Sequence, residues 1–176
     1  MRITGGVLRG RQVAIPEGQI RPAMDRMRES VFAILGDLSG ASFLDIFSGS
    51  GIIALEAASR GANPVEAVEI DTGKRKILLA NAAISPVPLR CHFMAAELFI
   101  RRSKTRFDYI FCDPPFPYKF RGKLVQSIAL SPLMGPDSRL LLHRPREDPP
   151  AALPENLFLA DTRQYGRSVV DIFMLK

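Results

Sequence analysis

From Ser42 onward, short apolar runs alternate with stretches whose apolar positions recur every three or four residues. Phe43–Phe47, Val65–Ile70, Leu89–Phe93, Phe107–Cys112 and Leu140–His143 read as strands. Between them, Ile52–Arg60, Lys74–Ile84, Ala95–Arg102 and Lys119–Leu130 carry helical spacing. Gly61 is placed to cap the first of these helices, and Pro86 stops the second. Strands alternating with helices predict a parallel sheet covered on both faces. Leu157–Thr162 and Ser168–Leu175 flank Tyr165-Gly166 and predict a terminal antiparallel pair, which makes the sheet mixed. Arg144–Pro154, with its four prolines, reads as an exposed loop before those last strands.

The first forty residues follow a different pattern. Met1–Ile15, with Gly5, Gly6 and Gly10, predicts two short strands around a bend. Met27, Val31, Ile34, Leu35 and Leu38 predict an amphipathic helix over Asp25–Leu38. The chain thus divides into a basic N-terminal extension, residues 1–40, and a main α/β domain, residues 41–176, expected to pack as one compact unit. No internal repeat or low-complexity tract interrupts it.

Charge changes the picture mainly through its placement. Lys and Arg outnumber Asp and Glu by 24 to 18, a net +6 that permits a polyanionic partner without requiring one. Arg2, Arg9, Arg11, Arg21, Arg26 and Arg28 all precede residue 29, where only Glu17 and Asp25 oppose them. Arg9 and Arg11 flank Gly10 and read as phosphate ligands for RNA. Arg26 and Arg28 fit equally well as helix partners of Asp25 and Glu29. No apolar run approaches a membrane span, and the N-terminus lacks the apolar core of a secretory signal. Cys91 and Cys112 sit in apolar runs and read as reduced buried thiols, and no Cys/His spacing suits a metal. A cytoplasmic, monomeric, metal-free protein is expected.

Two motifs carry candidate chemistry. Asp45-Ile46-Phe47-Ser48-Gly49-Ser50-Gly51 follows a strand and opens a helix, and its glycines let the backbone approach a ligand. Such a turn is also an ordinary strand-to-helix connection. The choice shifts with Glu69, twenty positions after Gly49 at the tip of the next strand, placed to accept hydrogen bonds from ribose hydroxyls. Glu66 and Asp71 read as surface charges beside it. Gly51-Ile52-Ile53-Ala54 lacks the third glycine of a dinucleotide fingerprint, which favours adenosylmethionine over NAD.

Asp113-Pro114-Pro115-Phe116 closes the fourth strand. The prolines end the strand and stiffen the turn. The Asp113 carboxylate and the Pro114 carbonyl are placed to accept both N–H bonds of an exocyclic amine, which localises the nitrogen lone pair. Phe116 is suited to stack on the base. Asp113 acts more plausibly as an orienting acceptor than as a formal base, because a sulfonium methyl donor needs chiefly alignment. An Asp-Pro turn over a buried Phe is the plain alternative.

At these residues the chain resembles the RsmD-type methyltransferases, which methylate a guanine N2 in bacterial small-subunit (16S) ribosomal RNA. The resemblance runs through Arg2-Ile3-Thr4-Gly5-Gly6, Arg9-Gly10-Arg11, Arg21-Pro22-Ala23-Met24-Asp25-Arg26-Met27-Arg28-Glu29, the Leu44–Gly51 loop, Leu55-Glu56-Ala57, Ser59-Arg60-Gly61-Ala62 and Asp113-Pro114-Pro115-Phe116. The Asp-Pro-Pro-Phe motif is common to many amino-methyltransferases and also suits adenine N6 in DNA or RNA, whereas the arginine-rich N-terminal block is far more specific; a non-catalytic RNA-binding or ribosome-assembly module is the third reading. The resemblance implies a Rossmann-like class I S-adenosylmethionine-dependent methyltransferase fold, with a mixed seven-stranded sheet and an N-terminal β-hairpin extension. It implies cofactor contacts at Asp45, Phe47, Ser48, Gly49, Ser50, Gly51, Glu69 and the adjoining Ile70, base contacts at Asp113–Phe116, and RNA contacts from the N-terminal arginines, within a partly assembled small ribosomal subunit. Two positions depart from the family's pattern. Ala23 stands where Thr is usual, and His92-Phe93-Met94-Ala95-Ala96 lacks the Asn or Asp that would meet the adenine, so that contact comes from a backbone amide or is weak.

Overall fold

The computed structural model describes residues 1–15, 22–148 and 152–176, and only the backbone of residues 22–24. Helix α1 (Pro22–Leu35) opens on a proline whose missing N–H costs nothing at that position. It starts earlier than the apolar periodicity predicts and stops before Leu38, because Gly36 turns left-handed at φ 73°. Then follow β1 (Phe43–Ile46), α2 (Ile52–Ser59), β2 (Val65–Val68), a 3-10 turn (Thr72–Lys74), α3 (Arg75–Ala82), β3 (Leu89–His92), α4 (Ala96–Arg102), β4 (Tyr109–Cys112), α5 (Arg121–Ala129), β5 (Arg139–Pro145), β6 (Leu157–Tyr165) and β7 (Ser168–Leu175).

The strands form one seven-stranded sheet in the order β3-β2-β1-β4-β5-β7-β6. All neighbours are parallel up to β5, and β7 runs antiparallel to both β5 and β6. Alternate residues of each central strand enter opposite core layers, as the two-residue pleat requires. Leu44, Ile46, Ile110 and Cys112 pack toward α4 and α5. Phe43, Phe111, Ala67 and Leu141 pack toward α1, α2 and α3. Helix α2 is buried nearly all round, which explains why its sequence is apolar on every face.

Order reverses at β1, which pairs with β2 on one side and β4 on the other. In open α/β sheets, ligands bind outside the carboxyl ends of the strands at this reversal. The loop after β1 and the turn after β4 both lie there.

The N-terminal arm is hairpin-shaped but is not a pair of strands. Among the described residues a single bridge, Arg2 to Gln12, joins its two limbs. Ile3, Gly10 and Val13 N–H donate across the limbs to the carbonyls of Arg11, Ile3 and Met1, but other donors go to α2: Val7 N–H to the Ser59 carbonyl at 2.8 Å, Leu8 N–H to Ser59 Oγ at 2.9 Å, and Thr4 and Gly5 N–H to the Glu56 carboxylate at 2.9 Å. The arm lies so close to α2 that a Cβ on Gly6 would stand 1.8 Å from the Ser59 carbonyl oxygen. Ile3, Val13 and Leu55 seal the contact.

Arg144–Pro154 does not begin as a loop. Strand β5 runs through Pro145, and buried Arg144 pairs with buried Asp171 of β7 at 2.6 Å. The paired charge tolerates an interior position that an isolated arginine would not. No helix among the described residues is long and apolar enough to cross a membrane.

Candidate active site

The loop after β1 is held in shape from within and from β2. Ser48 N–H donates to the Val68 carbonyl at 3.0 Å, and Gly49 N–H donates to Glu69 Oε2 at 2.7 Å. Glu69 Oε1 accepts from Asp71 N–H at 2.8 Å, so the buried carboxylate is oriented from two sides. Each oxygen retains a lone pair for another donor. Asn81 Nδ2 donates to the Ser50 carbonyl at 2.8 Å. Phe47 is left-handed at φ 64°, a strained state for a residue with a side chain and one that clusters at ligand sites. Gly49 is also left-handed at φ 58°, and a Cβ there would meet no atom within 4 Å, so its outer face borders open space. Ile70, by contrast, lies past the strand end with its side chain 59 % exposed.

Asp45 lies at the floor of this loop. Its Oδ2 accepts from Ser48 Oγ at 2.7 Å and from Ala54 N–H at 3.1 Å. Its Oδ1 is buried with no hydrogen-bond partner among the described residues. Such an orphan beside an open glycine face suits a ligand that brings hydrogen-bond donors or positive charge. Burial pushes the Asp45 carboxyl up to about 7, against the Ser48 and Ala54 hydrogen bonds that favour its ionised form. The ordinary value is 3.8, so between about 4 and 7 the ligand-free folded protein binds a proton that the unfolded chain has lost. Ligand-free stability is therefore expected to fall as pH rises through that window, by at most about 4 kcal/mol at 1.36 kcal/mol per pH unit. Thermal melts across the window check this. Asp45→Asn is expected to flatten the decline, and an unchanged slope in that variant would assign it to other groups.

The Asp-Pro-Pro-Phe turn opens onto the same space. Asp113 N–H donates to the Ile46 carbonyl at 3.1 Å, so the turn begins one residue from Phe47 across the β1–β4 seam. Arg121 takes up the carbonyls of Pro115 at 3.1 Å, Phe116 at 3.0 Å and Tyr118 at 2.7 Å, but not that of Pro114. Asp148 in turn holds Arg121. Phe47 meets Tyr118 edge-on with ring centroids 5.4 Å apart, joining the two loops by their side chains as well. Phe116 is 43 % exposed at the rim, which excludes the plain reading of a buried Phe beneath the turn. Asp113 Oδ1 lies 2.6 Å from Nδ1 of buried His143 on β5.

Asp45, Phe47–Gly51, Glu69 and Asp113–Phe116 thus meet at one sheet edge. The arginines divide. Arg2, Arg9, Arg11 and Arg26 are exposed, and Arg21 lies outside the described residues, as do the side chains of Pro22, Ala23 and Met24. Arg28 is not a surface phosphate ligand: it is 2 % exposed, donates to the Arg2 carbonyl at 2.6 Å, and pairs with Glu56 and Asp25 at 3.3 Å. Glu66 is not a surface charge either. It is buried on β2, 2.7 Å from His92 Nε2. Cys112 is buried and Cys91 half-buried, and both thiols are free. His143 and Arg121 carry no sequence signal of their roles. His143 comes to the Asp113 turn through the parallel β4–β5 register, and Arg121 reaches back to it from the first position of α5.

The sequence matches the family described as "Conserved hypothetical protein 95" over residues 1–174. It is 36 % identical over 133 residues to the Escherichia coli "Ribosomal RNA small subunit methyltransferase D", an alignment covering 74 % of this chain and 66 % of that protein's length. It is 35 % identical over 83 residues to the Shewanella amazonensis "tRNA1(Val) (adenine(37)-N6)-methyltransferase", covering 46 % of this chain and 36 % of that protein. The solved structure of the Escherichia coli protein yhhF superposes with a TM-score of 0.90 at 26 % identity, covering 100 % of this chain and 98 % of that one. With the class I methyltransferase sheet order and the arginine-rich N-terminal block in place, the chain belongs to this family, the RsmD-type methyltransferases.

Proposed function

We propose that the protein transfers a methyl group from S-adenosylmethionine to the exocyclic N2 amine of a guanine in small-subunit (16S) ribosomal RNA. The observation that carries the reading is the Asp113 N–H bond to the Ile46 carbonyl, which sets the amine-gripping turn against the glycine loop. Adenosylmethionine, when bound, supplies an electrophilic methyl group on a positively charged sulfur. Glu69 offers its remaining lone pairs to ribose hydroxyls, and Asp45 Oδ1 faces the cationic or donor part of the ligand. Asp113 Oδ2 and the Pro114 carbonyl accept the two N–H bonds of the base, and Phe116 covers the ring. Catalysis is chiefly alignment of donor and acceptor in a fixed site, and no side chain needs to remove a proton before transfer.

Adenine N6 is the second reading, favoured by the match to an adenine-N6 enzyme. The Asp-Pro-Pro-Phe chemistry serves both amines, and only the N-terminal block favours guanine in ribosomal RNA. Incubation with radiolabelled adenosylmethionine and undermodified small ribosomal subunits, followed by nucleoside analysis, separates the readings. N2-methylguanosine is expected. N6-methyladenosine would transfer the case to the second reading, and no labelled nucleoside in the subunits would end the first.

The exposed Arg9 and Arg11 carry the RNA side of this reading. Replacing both with Glu is expected to weaken binding to ribosomal RNA at least tenfold and to flatten its salt dependence, leaving adenosylmethionine affinity unchanged. Filter binding over a salt series and calorimetry with the cofactor check the two halves. Equal loss of both in a folded variant would show that the arm and the cleft do not divide the work.

A further inference from the structure

We propose that His143 is a positioning residue that fixes the two base-gripping side chains, Asp113 and Phe116, in one arrangement. This rests on the methyl-transfer reading above. His143 sits on β5, paired with Val170 of β7 on the side away from β4, and is 1 % exposed. Its Nδ1 lies 2.6 Å from Asp113 Oδ1, and its ring meets Phe116 edge-on at 5.9 Å between centroids. One buried ring therefore contacts both the acceptor and the stacking surface.

The tautomer follows from the neighbours. A carboxylate only accepts, so the short contact requires the proton on Nδ1. Nε2 is buried with no hydrogen-bond partner among the described residues. A proton there would be an unsatisfied donor, costlier than an unpaired lone pair. The Nδ1–H form thus ties down Oδ1, and Oδ2 of the partly exposed Asp113 is the oxygen that faces the cleft. Without this tie the carboxylate can rotate about its last bond, and the ring can tilt, each spoiling alignment while the cofactor loop stays untouched.

Asn places a side-chain N–H where Nδ1 stood, whereas Leu of similar size has none. His143→Leu is expected to lower kcat on undermodified small ribosomal subunits at least tenfold, with adenosylmethionine affinity within twofold of wild type. His143→Asn is expected to recover most of the loss. A separate readout needs no turnover: in spectra of protein carrying 15N-labelled histidine, the His143 Nδ1 proton is expected to resist exchange and to lose that protection in Asp113→Ala. Wild-type kcat in folded His143→Leu, equal loss in the Leu and Asn variants, or a proton on Nε2 in place of Nδ1 would each overturn the proposal. If the wild-type protein transfers no methyl group the methyl-transfer reading fails first, and if Asp113→Ala retains turnover it is the role of Asp113 that fails. If Asp113→Ala is inactive and His143→Leu is active, only the role of His143 fails.

Discussion

Asp113→Ala is expected to reduce turnover by roughly a hundredfold or more, about 2.7 kcal/mol at the barrier, while leaving adenosylmethionine affinity within a few-fold of wild type. The asymmetry follows from the layout of the cleft. The groups assigned to the cofactor, Asp45 and Glu69, are oriented by Ser48, Ala54, Gly49 and Asp71, none of which depends on the Asp113 side chain. The turn backbone also stays in place, because the Asp113 N–H still bonds the Ile46 carbonyl and Arg121 still holds Pro115, Phe116 and Tyr118. What disappears is the carboxylate that would accept an amine N–H. The deletion also leaves His143 Nδ1 buried without its partner, a stability loss of about 1–3 kcal/mol. Asp113→Asn separates the two effects. Its carbonyl oxygen can keep the His143 bond, while its amide turns a donor toward the donors of the base. The Asn variant is therefore expected to melt close to wild type and still to lose most turnover. Single-turnover rates with labelled cofactor, beside calorimetry and melts, provide the test. Near-normal rates in either folded variant would remove Asp113 from the chemistry.

What could be read along the chain was whatever depends on local spacing. The alternation of strands and helices predicted the sheet, and the terminal pair around Tyr165-Gly166 predicted its antiparallel edge. The glycine loop and the Asp-Pro-Pro-Phe turn were legible because each is contiguous, and parallel β1 and β4 bring their carboxyl ends together. What stayed hidden depends on pairing between distant residues. His143 looked like a stray histidine in an apolar strand because its partner Asp113 is thirty positions away. Arg28 read equally as an RNA cation and as a helix partner of Asp25, and the Asp25 pair forms. Nothing local says that Glu56, on a helix apolar all round, accepts it in the interior. Glu66 and His92 face each other only through the β2–β3 register, where Glu66 stands beside Arg90 and Val68 beside His92. The arm read as two strands because its composition suits a hairpin, yet Glu56 and Ser59 of α2 capture donors that a second strand would have used.

That capture makes Glu56 the site of the largest expected stability loss. Its carboxylate is fully buried and accepts from Thr4 N–H at 2.9 Å, Thr4 Oγ at 2.6 Å, Gly5 N–H at 2.9 Å and Arg60 Nε at 3.0 Å, with Arg28 Nε at 3.3 Å. Removing it strands the Arg28 guanidinium, itself 2 % exposed, with Asp25 as its one remaining ion-pair partner among the described residues. Deleting one partner of a buried pair costs about 3–5 kcal/mol, because the other charge stays desolvated. Glu56→Ala is therefore expected to lower Tm by about 6–20 °C for a chain of this size. The loss should be shared between unfolding and detachment of the arm, so limited proteolysis is expected to cut the first fifteen residues sooner than in wild type. A double-mutant cycle locates the cause. Once Glu56 is gone the lone charge is the burden, so adding Arg28→Met should cost far less than Arg28→Met alone and can recover stability. Additive losses in the cycle would mean that the two side chains stabilise the arm independently. A Glu56→Ala variant that melts with wild type would mean that Ile3, Val13 and Leu55 alone hold it against α2.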